Sequence, residues 1–256
     1  MYNLYRAVLT GPPDNEWGDD MKIIAHRGAS TVKEENSLEG LLYAGELGAD
    51  LVECDVTRLH DGTYVIYHDN TLLRLGGVDK SLAEVGYPEM RECLARNGHG
   101  LMRFEELLAG YRSRTPILLH IKMTHLEPDF VELICRTEVP FVFGAVSLDV
   151  AEELHRHFPP ERILAFMPGQ TDYRAFFAAG AGVIRLWEHW LDTVTPDDVR
   201  AACPGAMVWI MARDERKRNC GSPRTLDRCM ELHADGILLD DVAMALEWRR
   251  HYPIAG

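Results

Sequence analysis

The chain has 256 residues, of which 46% are apolar, and carries a net charge of −13 from 40 acidic against 27 basic side chains. That length suits one α/β barrel, and the apolar fraction is ample for its core. The acidic balance repels phosphate backbones and anionic membrane surfaces, which argues against a nucleic-acid partner.

The first twenty residues are polar and punctuated by Pro and Gly, and are expected to form an arm or lid. They lack a basic leader, an apolar signal core and a small-residue cleavage site. "MKIIAH" (21–26) then reads as a strand, and Asn36 to Leu47 as a helix with Leu38, Leu41, Leu42 and Leu47 at helical spacing. Asp50 to Val56 is a second strand, and "TYVIYH" (63–68) a short extra one beyond the "HDG" turn. Residues 69–100 are Gly-rich and read as an irregular insertion.

From "RFEELLAGYR" (103–112) onward, helices and strands alternate. Strands are expected at "PILLHIK", "FVFGAVS", "RILAFMP", "GVIRLW", "AMVWIMA" and "DGILLD", each followed by an amphipathic helix. Several of those helices begin at a Ser, Thr or Asp suited to capping. Eight strand–helix units with uniformly apolar strands predict a (β/α)8 TIM barrel over 21–256, with a short extra strand and a small insertion after strand 2. An open doubly wound sheet is the alternative.

No stretch of eighteen apolar residues occurs, so no stable membrane insertion is expected. The six cysteines form no C-x-x-C pair and read as reduced thiols, in keeping with a cytoplasmic protein. The basic run "RDERKRNC" (213–220) is mixed in sign and reads as solvated surface. His125, His155, His157 and His189 read as surface or packing histidines, and His60 as part of a polar turn.

In such a barrel, chemistry sits at the carboxyl ends of the strands. There the sequence places His26 and Arg27 (strand 1), Glu53 and Asp55 (strand 2), His68 (the extra strand), and His120 and Lys122 (strand 3). Glu53 and Asp55, two apart, share one face of their strand. Burying both costs several kcal/mol unless a cation accompanies them, so they suggest a divalent metal on oxygen ligands; salt bridges to neighbouring Arg or Lys are the plainer reading.

"HRGAS", "EENS", "GADLVECDV", "DGTYVIYHD" and "LLHIK", in this order, resemble the glycerophosphodiester phosphodiesterases. The likeness is strongest over 21–70 and continues more loosely through "SLD", "MVWIMA" and "ADGILLDD". The resemblance implies a metal-dependent barrel enzyme that hydrolyses a small phosphodiester to an alcohol and glycerol phosphate. It implies that His26 and His68 are the acid–base pair, that Glu53 and Asp55 bind the metal, and that Arg27 and Lys122 hold phosphate oxygens. It further suggests that 69–100 caps the mouth and shapes the alcohol pocket.

The sequence departs from the family pattern in three places. Its third-strand motif reads His120-Ile121-Lys122 where relatives have E-I-K, which makes His120 a third metal ligand, a contact through water, or a bystander. Relatives bind Mg²⁺ or Ca²⁺; an imidazole ligand shifts the expected preference toward Mn²⁺, Co²⁺ or Zn²⁺. The turn "KEENS" keeps Glu35 and Asn36 without the family's proline. Glu35 either holds the site from behind the ligands, reaches the metal, or is first-turn helix charge, and Asn36 either supports the site or caps the helix. Trp209 stands in a segment where relatives carry W-T-V-N, and with Trp187 and Met167 it suggests an apolar substrate rim. Two other outcomes stay open: a silent relative that binds a phosphorylated ligand, and a lyase that stops at a cyclic phosphate. The leaving alcohol and the oligomeric state are not fixed by sequence.

Overall fold

The computed structural model describes residues 21–252 apart from positions 215 and 217, so the arm expected at 1–20 lies outside the described residues. The chain begins with β1 (Lys22–Ala25), crosses through α1 (Leu38–Leu47), and returns as β2 (Leu51–Arg58) beside it in parallel. An antiparallel excursion follows: β3 (Tyr64–Ile66) pairs with β2, and β4 (Met102–Arg103) pairs with β3. Between those two short strands lie α2 (Leu73–Gly76), a 3₁₀ turn at Leu82–Glu84, and α3 (Tyr87–Arg96).

After α4 (Phe104–Gly110) the alternation is regular: β5 (Ile117–Ile121), α5 (Pro128–Arg136), β6 (Phe141–Ala145), α6 (Leu148–His155), β7 (Ile163–Ala165) and α7 (Tyr173–Ala178). β8 (Val183–Trp187), α8 (Pro196–Ala202), β9 (Met207–Met211), α9 (Pro223–Glu231), β10 (Gly236–Leu239) and α10 (Val242–His251) complete it. β10 pairs in parallel with β1, which closes β1, β2 and β5–β10 into a barrel of eight parallel strands. The (β/α)8 fold read from the strand count is therefore the one formed.

Side-chain alternation sorts each strand into two faces. Ile23, Val52, Cys54, Ile117, Leu119 and their counterparts face the helices and form the larger core. Ile24, Leu51, Leu118, Val142, Leu164, Val183, Trp209 and Leu238 fill the bore. Since Leu51 faces the bore, so do Glu53 and Asp55 on the same strand. Ser37, Ser147, Thr195, Ser222 and Asp241 cap their helices by accepting a backbone N–H, as the sequence led one to expect.

Three boundaries differ from expectation. The irregular stretch at 69–100 contains α3, whose Met90 and Leu94 pack with Leu59, Val65, Tyr67, Leu72, Leu82 and Val85 in a separate small core. One i, i+4 apolar pair among charged residues is too thin a stripe to announce a helix. α1 starts after Ser37, not at Asn36, so neither Glu35 nor Asn36 belongs to it. The extra strand ends at Ile66, which leaves His68 on the following loop. All six cysteines are free thiols. No helix among the described residues is long and apolar enough to cross a membrane.

Candidate active site

Glu53 and Asp55 are fully buried in the bore, and each splits its two oxygens between two tasks. Glu53 Oε2 accepts the backbone N–H of Arg27 (2.8 Å), and Asp55 Oδ2 accepts from Asn36 Nδ2 (3.1 Å). Glu53 Oε1 and Asp55 Oδ1 have no hydrogen-bond partner. β2 and β5 are paired with Asp55 opposite His120, so the imidazole arrives beside the free oxygens. His120 Nδ1 lies 2.9 Å from Asp55 Oδ1 and 3.7 Å from Glu53 Oε1. The first approach lacks hydrogen-bond alignment, since Asp55 Oδ1 remains without a partner.

Ligand atoms of these three residues lie within 4.8 Å of one another. Two orphaned buried carboxylate oxygens facing a ring nitrogen are a donor set that a divalent cation satisfies and a lone proton does not. Glu53, Asp55 and His120 therefore fit a metal ion.

The charges agree with this fit. Burial pushes the Glu53 carboxyl well above the usual range, and the neighbouring Asp55 charge adds to the effect. Burial acts on Asp55 in the same sense, but the close approach of the His120 ring, with Lys122 beside it, holds the carboxyl well below the usual range. Burial lowers the His120 imidazole to about 4 against the opposing pull of Asp55, so at neutral pH the ring is uncharged and free to ligate. Phe166 stacks on it at 3.7 Å between ring centroids. Gly144, opposite His120 on β6, makes that stack fit: a Cβ there would sit 2.4 Å from Phe166 Cε2.

Two further imidazoles flank the carboxylates. His26, one residue past β1, is almost wholly buried, and its Nδ1 lies 2.7 Å from Asp240 Oδ1 at the end of β10. Its Nε2 is 4.0 Å from Glu53 Oε2. Burial lowers the His26 pKa, and the Asp240 bond opposes that shift. His68 Nδ1 is bonded to Asp69 (2.6 Å), and the ring lies near enough to act electrostatically on Asp55 and His120.

Arg27 Nε is 3.6 Å and Lys122 Nζ 3.7 Å from Asp55, and the buried Arg27 Nε makes no hydrogen bond. Arg27 and Asn36 both adopt left-handed backbone, at φ 55° and 57°. Such strain costs about 1 kcal/mol or more per residue, and hydrogen bonds at the site hold both in place. Asn36 makes a reciprocal pair with Asp55, accepting its backbone N–H at 3.0 Å.

The seven residues placed at strand ends by sequence thus meet at one mouth. Glu35 does not join the ligand cluster and instead bridges Arg27 (3.3 Å) to Arg74 of α2 (2.6 and 2.9 Å). Trp187 is half-buried at the end of β8. Trp209 sits below the rim, 3% exposed inside the bore, and Met167 is buried too, so neither forms the rim the sequence suggested. Sequence reading missed Asp240, Arg74, Phe166 and Arg185. Asp240 had a usable signal, an acid directly after an apolar terminal strand, and Arg185 another, the lone charge in the apolar strand "VIRLW"; the other two had none.

Residues 26–142 match the model of the glycerophosphoryl diester phosphodiesterase family. A probable glycerophosphodiester phosphodiesterase 1 of Mycobacterium tuberculosis is 41% identical over 149 residues, covering 55% of this chain and 53% of that one. Mouse lysophospholipase D GDPD3 is 33% identical over 175 residues, 61% of this chain and 51% of that protein. The chain spans about half the length of these two curated relatives. Among solved structures, a glycerophosphodiester phosphodiesterase from Thermotoga maritima superposes with a TM-score of 0.70 at 19% identity, over 89% of this chain and 98% of that one. A phosphodiesterase from Oleispira antarctica, solved with the product sn-glycerol 3-phosphate, gives 0.70 at 20% identity, over 90% and 96%. At those identities the solved structures speak to the barrel, and the likeness in sequence is carried by residues 26–142, which are similar to the glycerophosphoryl diester phosphodiesterase family.

Proposed function

We propose that the protein is a metal-dependent phosphoric diester hydrolase that cleaves glycerophosphodiesters to an alcohol and glycerol phosphate. The observation that carries this reading is the pair of orphaned oxygens, Glu53 Oε1 and Asp55 Oδ1, facing a neutral His120 between two carboxylate-anchored imidazoles. The match of residues 26–142 to the family model and the similarity to phosphodiesterases support it.

Glu53, Asp55 and His120 would hold a divalent cation, which would supply charge neutralisation for the phosphoryl oxygens. Arg27 and Lys122 sit beside the same carboxylate and share that task. His26, with Nδ1 committed to Asp240, presents Nε2 to the site; burial favours its neutral form, so it takes the proton from the attacking oxygen, either that of water or that of the neighbouring glycerol hydroxyl. In the latter case water then opens the cyclic phosphate to glycerol phosphate. His68, also anchored through Nδ1 but nearer solvent, delivers the proton to the departing alcohol. Each such transfer contributes roughly 10²- to 10⁴-fold. The loop and helices between β3 and β4 form a cap, tied to the mouth by Arg74.

Phosphorus NMR of glycerophosphodiester turnover, with Mn²⁺ or Mg²⁺ and then with chelator, tests the reading. The expected product is glycerol phosphate, formed only with metal. A persistent cyclic phosphate would make the protein a lyase, and no turnover of any diester across four divalent metals would make it a phosphorylated-ligand-binding relative.

A further inference from the structure

The strand "VIRLW" (183–187) is apolar except for Arg185, and its alternation turns that residue into the bore. Arg185 is 3% exposed. Its guanidinium is walled by three aromatic rings, with Cζ 4.4 Å from the centroid of Trp187, 5.3 Å from Phe166 and 5.5 Å from Trp190. Rings satisfy the faces of a guanidinium and leave its N–H edge unanswered. Nη2 makes a long contact to the Met167 carbonyl (3.4 Å), while Nε and Nη1 have no acceptor. The nearby Glu188 carboxylate is turned to the backbone N–H of Arg213 (2.8 Å).

Beside Arg185, paired with it in register on β9, stands Trp209, whose buried Nε1 also lacks an acceptor. The indole lies against Gly236 of β10, where a Cβ would come within 3.0 Å of it. Two neighbouring inward residues therefore hold three buried donor atoms with no acceptor. A buried cation left this way costs several kcal/mol, which is retained where an anion repays it. Burial, with a smaller push from Arg213, lowers Arg185 only to about 9, so it stays charged at neutral pH. Phe166 separates this group from the metal site, touching Arg185 on one side and stacking on His120 on the other. Trp187 carries Arg213 as well as Arg185, with Arg213 Cζ at 4.6 Å, so its ring is already committed to cations and ill suited to a quaternary ammonium.

We propose that Arg185 and Trp209 form a second anion subsite, which takes a carboxylate or phosphate borne by the alcohol part of the diester. The inference rests on the phosphodiesterase reading above and names its substrate class: diesters of an acidic alcohol in preference to those of choline or a plain alcohol. The scissile phosphate would sit beside Arg27 and Lys122, at the cation that Glu53, Asp55 and His120 would hold, and the additional anion binds across Phe166 from it.

The test compares the glycerophosphodiester of a hydroxycarboxylic acid with that of a plain alcohol of equal length. Wild type should favour the acidic ester by at least about tenfold in kcat/KM, chiefly through KM. Arg185→Met should bring that ratio near one, and Trp209→Phe, which keeps the aromatic volume, should lower it at least about twofold. No wild-type preference, or equal losses on both esters in Arg185→Met, would overturn the proposal, since a merely structural arginine lowers both alike. Calorimetric binding of the acid's phosphate monoester and of the matched alkyl phosphate runs alongside. If neither ester is hydrolysed, the phosphodiesterase reading fails, and binding alone decides. Tighter binding of the acidic monoester that Trp209→Phe weakens supports the subsite, and indifference to the carboxylate contradicts it.

Discussion

His26 Nδ1 lies 2.7 Å from Asp240 Oδ1, a contact that joins the ends of the first and last barrel strands where the cylinder closes. The carboxylate fixes which ring nitrogen faces the carboxylate cluster and raises a basicity that burial depresses. Asp240→Asn should lower kcat/KM at least about tenfold, while His26→Ala should lower it at least about a hundredfold. Removing the one strong group that raises the His26 pKa should also move the acid limb of the pH–rate profile to lower pH. A limb that stays in place while the rate falls would mean that His26 is not the base.

Imidazole at position 120 bears on metal choice. His120→Glu adds a hard ligand to two carboxylates and should shift activity from Mn²⁺ and Co²⁺ toward Mg²⁺ and Ca²⁺. Titrating rate against each metal after chelation checks this. A wild-type protein already best with Ca²⁺ would contradict it.

Stability should depend on pH through the same ring. Burial holds His120 near 4 in the fold, against about 6.5 unfolded, so between those values the unfolded chain binds the extra proton. Stability is then complete above about pH 6.5 and declines as pH falls toward 4, by on the order of 2–3 kcal/mol. Denaturant melts in chelator should show that decline, and His120→Asn should flatten it. An equal slope in the variant would assign the titration elsewhere.

Arg74 reaches from α2 to Asp69 (2.6 Å) and Glu35 (2.6 Å), and so sets the loop that carries His68. Arg74→Met should lower kcat about 10- to 100-fold by misplacing that imidazole, with little change in melting temperature because the side chain is half exposed. Equal losses for a substrate whose leaving group needs no proton would place the effect elsewhere than His68.

How far the sequence could be read follows from these contacts. Strand order and the convergence of His26, Glu53, Asp55, His68 and His120 were legible because period-2 alternation and barrel closure act on every strand alike. Asn36 was read as a helix cap or a support because both uses need a short polar side chain; its left-handed backbone and reciprocal bonds to Asp55 decide for the support. Phe166 and Arg74 gave no local signal. Their roles come from what the barrel brings beside them from distant strands, and a single apolar or charged residue carries no trace of that. Trp209 was placed at the rim by analogy of segment, whereas its register with Arg185 and Gly236 sets it a layer deeper.

The account depends most on a metal ion at Glu53, Asp55 and His120. A crystal soaked in Mn²⁺ and measured at the manganese absorption edge tests it most directly. The expected result is one anomalous peak about 2.0–2.5 Å from Glu53 Oε1, Asp55 Oδ1 and His120 Nδ1, absent in Asp55→Asn. A fully occupied ion elsewhere, or none at this cluster at saturating Mn²⁺, would contradict it.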